Sequence, residues 1–182
     1  MDRLSAFREF EQRFRKPHGY PAPPPPVPLS PTDVDAVERV LQCRFPTSYR
    51  EFVTSIGPCE VRGLGDTWIF NRGVAIPVPF ESLWPPQTVV KQYQHEWLAP
   101  IPAELAGGSA VASDVAWKYL LPFASDGGGN WHSFRRQSAN LDDAPVYYFD
   151  HDGGAIEQIA PGLEQLIRMY LELPAEPYVD SR

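Results

Sequence analysis

The chain has 182 residues, 43% of them hydrophobic, which is enough to fill one core and sits near the upper edge of a single ordinary domain. A formal charge of -7 and a sequence pI of about 5.1 argue against a duplex-binding protein, because phosphate recognition rests on clustered Lys and Arg; they favour a basic partner. No apolar run reaches the ~18 residues that span a bilayer, and the charged start M-D-R-L-S-A-F-R-E-F-E-Q-R-F-R-K lacks the apolar segment of a secretory signal, so a cytoplasmic location is expected.

Leu4, Phe7, Phe10 and Phe14 recur at helical spacing and predict an amphipathic helix from about Arg3 to Arg15, within an N-terminal extension over residues 1–20. The tract P-A-P-P-P-P-V-P-L-S-P, residues 21–31, holds φ near -65° at each proline and lacks their donors, so it is expected to run as an extended polyproline II linker. A ligand for an SH3-like domain is its second reading. The main α+β domain is expected over residues 32–173, followed by a short tail, 174–182.

Ser30-Pro31-Thr32-Asp33 carries a helix cap, a proline at the first helical position and an acid at the third. Val34, Val37 and Leu41 line that helix. Tyr49, Phe52, Val53 and Ile56 mark the next, with Gly57 as its left-handed stop. From Glu60 the period changes to short β-branched and aromatic runs between Gly-containing turns, which reads as a meander. Val89, Val90, Tyr93 and Trp97 suggest a helix inside an insertion rich in Pro, Gly and Ala, over residues 85–117.

Strands follow to about Ala124, from Trp131 to Arg136, from Val146 to Phe149 and from Ala155 to Ile159. Leu163, Leu166, Ile167, Tyr170 and Leu171 then line a last helix that Pro174 ends. Helices, then antiparallel strands, then a helix describe an α+β domain with a sheet of about five or six strands and helices packed on it.

Two stretches invite a chemical reading: L-P-F-A-S-D-G-G-G-N-W-H-S-F and P-V-Y-Y-F-D-H-D-G-G. Asp126, His132, Asp150 and Asp152 would be the ligands of a metal-assisted hydrolase. Consecutive residues on a strand point to opposite faces, however, and D-H-D-G lacks the bidentate acid of a calcium loop. The glycines carry no P-loop Lys or Ser/Thr. Asp before Gly is ordinary turn chemistry, so hairpin corners are the favoured reading and neither metal nor cofactor is expected. Cys43 and Cys59 lack a C-x-x-C neighbourhood and are expected as reduced thiols, at least one of them buried.

In order along the chain, F-P-T-S-Y-R-E-F-V, L-P-F-A-S-D-G-G-G-N-W, P-V-Y-Y-F-D-H-D and I-A-P-G-L-E-Q-L-I resemble the SUKH superfamily, which includes bacterial toxin-immunity proteins and a fungal cell-wall regulator. The likeness covers roughly residues 32–173. Phe45 stands where Leu is usual and Leu163 where an aromatic is common, both core swaps of tolerable volume; the N-terminal helix and proline tract lie outside the pattern.

Between Arg136 and Arg168 there is no Lys or Arg, while Asp142, Asp143, Asp150, Asp152, Glu157 and Glu164 fall in the interval. Such a one-signed segment is either a solvated face or a partner site. The resemblance implies the second: a non-enzymatic immunity protein that docks a basic toxin nuclease on Asp126, Asp142, Asp143, Asp150 and Asp152, with Trp131 and Tyr147 or Tyr148 as aromatic anchors. The regulatory relatives imply a scaffold as the alternative. On the immunity reading, removal of residues 1–29 is expected to leave a domain that folds and protects.

Overall fold

The computed structural model describes residues 1–16, 21–64, 79–93, 120–135, 142–151 and 155–173. Its elements in chain order are α1 (Arg3–Phe14), α2 (Pro31–Leu41), α3 (Thr47–Ser55), β1 (Cys59–Glu60), β2 (Ser82–Leu83), α4 (Pro86–Gln92), β3 (Leu120–Ser125), β4 (Trp131–Arg135), β5 (Val146–Asp150), β6 (Ala155–Ala160) and α5 (Leu163–Leu171).

The strands form one six-stranded antiparallel sheet in the order β1-β2-β3-β4-β5-β6, with every strand beside its neighbour in sequence. This is the α+β architecture expected, and the strands from β3 onward begin and end within about two residues of their sequence-read limits. Of the meander read from Glu60, Glu60 ends β1 but residues 62–64 are helical rather than extended, the Leu64 N–H turning back to the Val61 carbonyl at 2.8 Å. Its remainder, residues 65–78, lies outside the described residues, as do Trp97 and most of the insertion.

Helix starts follow from local chemistry. Asp2 accepts the backbone N–H of Ser5 to cap α1, and the Ser30 hydroxyl accepts that of Asp33 to cap α2, whose first residue is Pro31. Gln42 closes α2 in the left-handed region at φ 51°, the one non-glycine residue to do so among those described.

The core lies between the helices and one face of the sheet. Tyr49 of α3 reaches the sheet edge-on to Phe123 and Phe134, which stack on each other at 4.0 Å, and its hydroxyl donates to the Trp84 carbonyl at 2.7 Å. Phe45 packs on Tyr49 at 4.8 Å and Leu163 is fully buried, so both departures from the family pattern are core residues.

α1 shares this core. Phe7, Phe10 and Phe14 are buried, with Phe7 against Phe52 of α3 at 5.1 Å and Phe10 stacked on Tyr170 of α5 at 6.1 Å. The proline tract leads from α1 back to α2 along the body, held where the Leu29 N–H donates to the Val53 carbonyl at 2.9 Å.

Candidate functional site

The hairpin between β3 and β4 is built by its acid. Asp126 accepts from the backbone N–H groups of Gly128 at 2.8 Å and Asn130 at 3.1 Å, and from the Asn130 amide at 2.7 Å. Tyr148 on β5 donates its hydroxyl to the same carboxylate at 3.4 Å. Gly127 and Gly129 sit at φ 78° and 99°, where a side chain would strain the backbone. Asp126 is therefore a turn-forming residue before it is anything else.

This turn touches the next one. Asn130 Oδ1 accepts the backbone N–H of His151 at 2.9 Å and lies 2.8 Å from His151 Nδ1, while a Cβ on Gly129 would come within 3.2 Å of the His151 ring. The two sequence stretches that invited a chemical reading thus meet side by side at one end of the sheet. Asp152 lies outside the described residues.

Register decides which side chains share a face. Tyr148 is opposite His132 on β4 and Glu157 on β6, and Asp150 follows Tyr148 by two residues, so all four lie on the helix-packed face. His132 is fully buried against Phe80 at 5.3 Å, Tyr148 and Asp150 are half-buried, and Glu157 is exposed. Glu81, exposed and just before β2, reaches the glycine turn closely enough that a Cβ on Gly127 would lie 2.5 Å from its carboxylate. The opposite face carries Trp131, half-buried and stacked on Phe149 at 5.6 Å, together with Tyr147, which is buried.

Asp142 and Asp143 are elsewhere, before the far end of β5, whose four steps from Val146 to Asp150 span about 13 Å at ~3.3 Å per residue. Both carboxylates are engaged internally. Asp142, exposed, takes a two-pronged contact from the Arg3 guanidinium, which also binds Glu164 at 2.6 Å and Glu51 at 3.5 Å. The hydrogen bonds from Arg3 hold Asp142 and Glu164 below the usual carboxylate range, and the Asp142 contact pushes Arg3 up. Asp143 accepts from the backbone N–H groups of Ala144, Leu163 and Glu164 and from the Ser48 hydroxyl.

The six expected docking residues are thus not one patch. Asp126, Trp131 and Asp150 lie at the turn end, with Trp131 on the opposite face from Asp150; Asp142 and Asp143 join α1, α3 and α5. Among the described residues, no group of three His, Cys, Asp or Glu side chains has a metal-holding arrangement. Glu157, one of the acids of the one-signed interval, is placed at this end by its register opposite Tyr148. Glu81 is an addition that the sequence did not signal, since nothing local points to its contact with Gly127.

A family model, the SMI1/KNR4 family (SUKH-1), matches residues 28–169. The chain belongs to that family. Comparison with curated proteins found no match. The SUKH-1 match leaves out α1 and most of the proline tract, yet α1 contributes Phe7, Phe10 and Phe14 to the SUKH-1 core. Among the described residues, no helix is long and apolar enough to cross a membrane.

Proposed function

We propose that this SUKH-1 chain is a non-enzymatic, immunity-type binding protein that neutralises a basic partner, a toxin nuclease, by seating it on the acidic turn end of the sheet. One observation carries the reading. The segments that build this end, residues 79–90, 120–134 and 142–167, contain no Lys or Arg, and they bring Glu81, Asp126, Asp150 and Glu157 to the turn end of the sheet.

Several cations elsewhere are tied into the fold: Arg3 to Asp142 and Glu164, Arg50 to Asp35 and Glu38, Arg15 to Glu11. A one-signed rim steers an oppositely charged partner and raises association toward ~10⁸ M⁻¹s⁻¹ at low salt. A nuclease offers the matching surface, because cations placed for phosphates accept carboxylates in their stead. Asp152 extends the rim in sequence, and Trp131 beside the Asn130 turn supplies an aromatic anchor of the kind in which binding energy concentrates. Asp142 and Asp143 serve the fold in this reading.

The test is co-expression with a toxin nuclease encoded beside this chain's own gene. Wild-type chain is expected to restore growth, and the Asp150→Asn, Asp152→Asn, Glu157→Gln variant to fail at equal abundance. Full protection by that variant would remove this end of the sheet as the site.

A further inference from the structure

Exposure along the proline tract repeats every three residues. From Pro21 to Ser30, Pro23, Pro26 and Leu29 are half-buried and the other seven residues are exposed. A polyproline II helix has three residues per turn, so residues spaced by three form one of its three faces. One face lies on the protein and two look into solvent.

The contacts explain why this face is fixed. The Leu29 N–H donates to the Val53 carbonyl at the end of α3, and Gly57, at φ 110°, lets the strap come so close that a Cβ there would lie 2.5 Å from the Val27 carbonyl oxygen. Ser30, at φ -70° and ψ 143°, keeps the extended geometry up to the cap of α2. With prolines at most of its positions the strap has few backbone donors, so sheet pairing is closed to it.

What the strap presents outward is a pattern. Pro24-Pro25 and Val27-Pro28 are two exposed dipeptides on adjacent ridges, separated by the inward Pro26, and Val27 is 74% exposed. Grooves lined with aromatic side chains take a polyproline ligand in this way: dipeptides on two ridges enter successive pockets while the third ridge faces away. A strap already held in that shape loses little further conformational freedom on binding.

We propose that this strap is a second docking surface, independent of the acidic end, for an SH3-like domain whose aromatic groove receives Pro24-Pro25 and Val27-Pro28. Here the ridge formed by Pro23, Pro26 and Leu29 stays on the body.

The experiment is calorimetric titration of the full chain with a panel of purified SH3 domains. At least one is expected to bind, and Pro25→Ala with Pro28→Ala to weaken it by about tenfold or more, as loss of central anchors does. Val27→Asp, at an exposed position, should abolish binding with unchanged thermal unfolding. Pro26→Ala should stay within about twofold of wild type, because that residue faces away from the groove. Failure of every domain to bind, indifference to the Pro25 and Pro28 changes, or a loss with Pro26→Ala as large as theirs would overturn the proposal.

Discussion

The Asp143 carboxylate accepts the backbone N–H of Leu163 at 2.9 Å and so caps a helix that begins twenty residues further along the chain. Gly162, at the cap position itself, has no side chain to do this, and a Cβ there would collide with Asp143. The same carboxylate takes Ser48 of α3, tying two helices to the start of β5. Asp143→Ala removes a cap and orphans several donors, with an expected loss of about 3 kcal/mol; Asp143→Asn should cost less, about 1–2 kcal/mol. Urea denaturation of both variants measures it.

Arg3 makes stability depend on acid. Glu164 and Asp142 have folded pKa values below their ordinary 4.5 and 3.8, first because of the hydrogen bonds from Arg3. A depressed carboxylate contributes its full stabilisation above its unfolded pKa and loses it as pH falls through the folded value. The denaturant midpoint is therefore expected to drop progressively below about pH 4.5, where Glu164 begins to protonate in the unfolded chain. Arg3→Ala should lower the midpoint at neutral pH and make that acid limb shallower. An unchanged limb would mean that this cluster does not link protonation to folding.

The first helix is expected to be indispensable, although it lies outside the SUKH-1 match. Phe10 is fully buried and touches Phe14, Phe80 and Tyr170, so Phe10→Ala should cost about 3–5 kcal/mol. Removing residues 1–29 should then leave a chain that does not fold, the reverse of what the sequence alone led us to expect. Arg13 adds to the attachment by donating to the carbonyls of Leu171, which ends α5, and Leu173, just beyond it. Circular dichroism melting of the truncated chain decides between the two outcomes.

Cys59 is buried, and burial first, with the charge of Glu11 second, pushes its thiol well up. Cys43 is half-buried on the turn after α2. An alkylating reagent near pH 8 should label Cys43 in the native protein and Cys59 only after denaturation, as mass spectrometry would show. Rapid native labelling of Cys59 would contradict its placement.

The elements that the sequence made legible were those whose signals are local. Tyr49, Phe52 and Val53 announced α3 by spacing, Ser30 and Pro31 announced the start of α2, and Asp126 with its glycines announced a turn. The destination of each charged side chain was not legible. Arg3 meets Glu164 across 161 residues and Asp143 meets Ser48 across 95, and no period or motif encodes such pairs. For that reason Asp142 and Asp143 read as surface charge in a one-signed interval, when a cation from α1 and the N-terminus of α5 engage them. The partner of the N-terminal helix was not legible for the same reason, since its apolar face showed that a partner was needed without showing that α3 and α5 supply it.

The docking claim is tested most directly by quantitative capture from the native cell, comparing wild-type chain with the Asp150→Asn, Asp152→Asn, Glu157→Gln variant of equal melting temperature. The account predicts that wild type captures a basic nuclease, that the variant loses most of it, and that moderate salt weakens the wild-type complex by screening the acidic rim. Capture of the same nuclease in equal amount by both proteins, indifferent to salt, would contradict it.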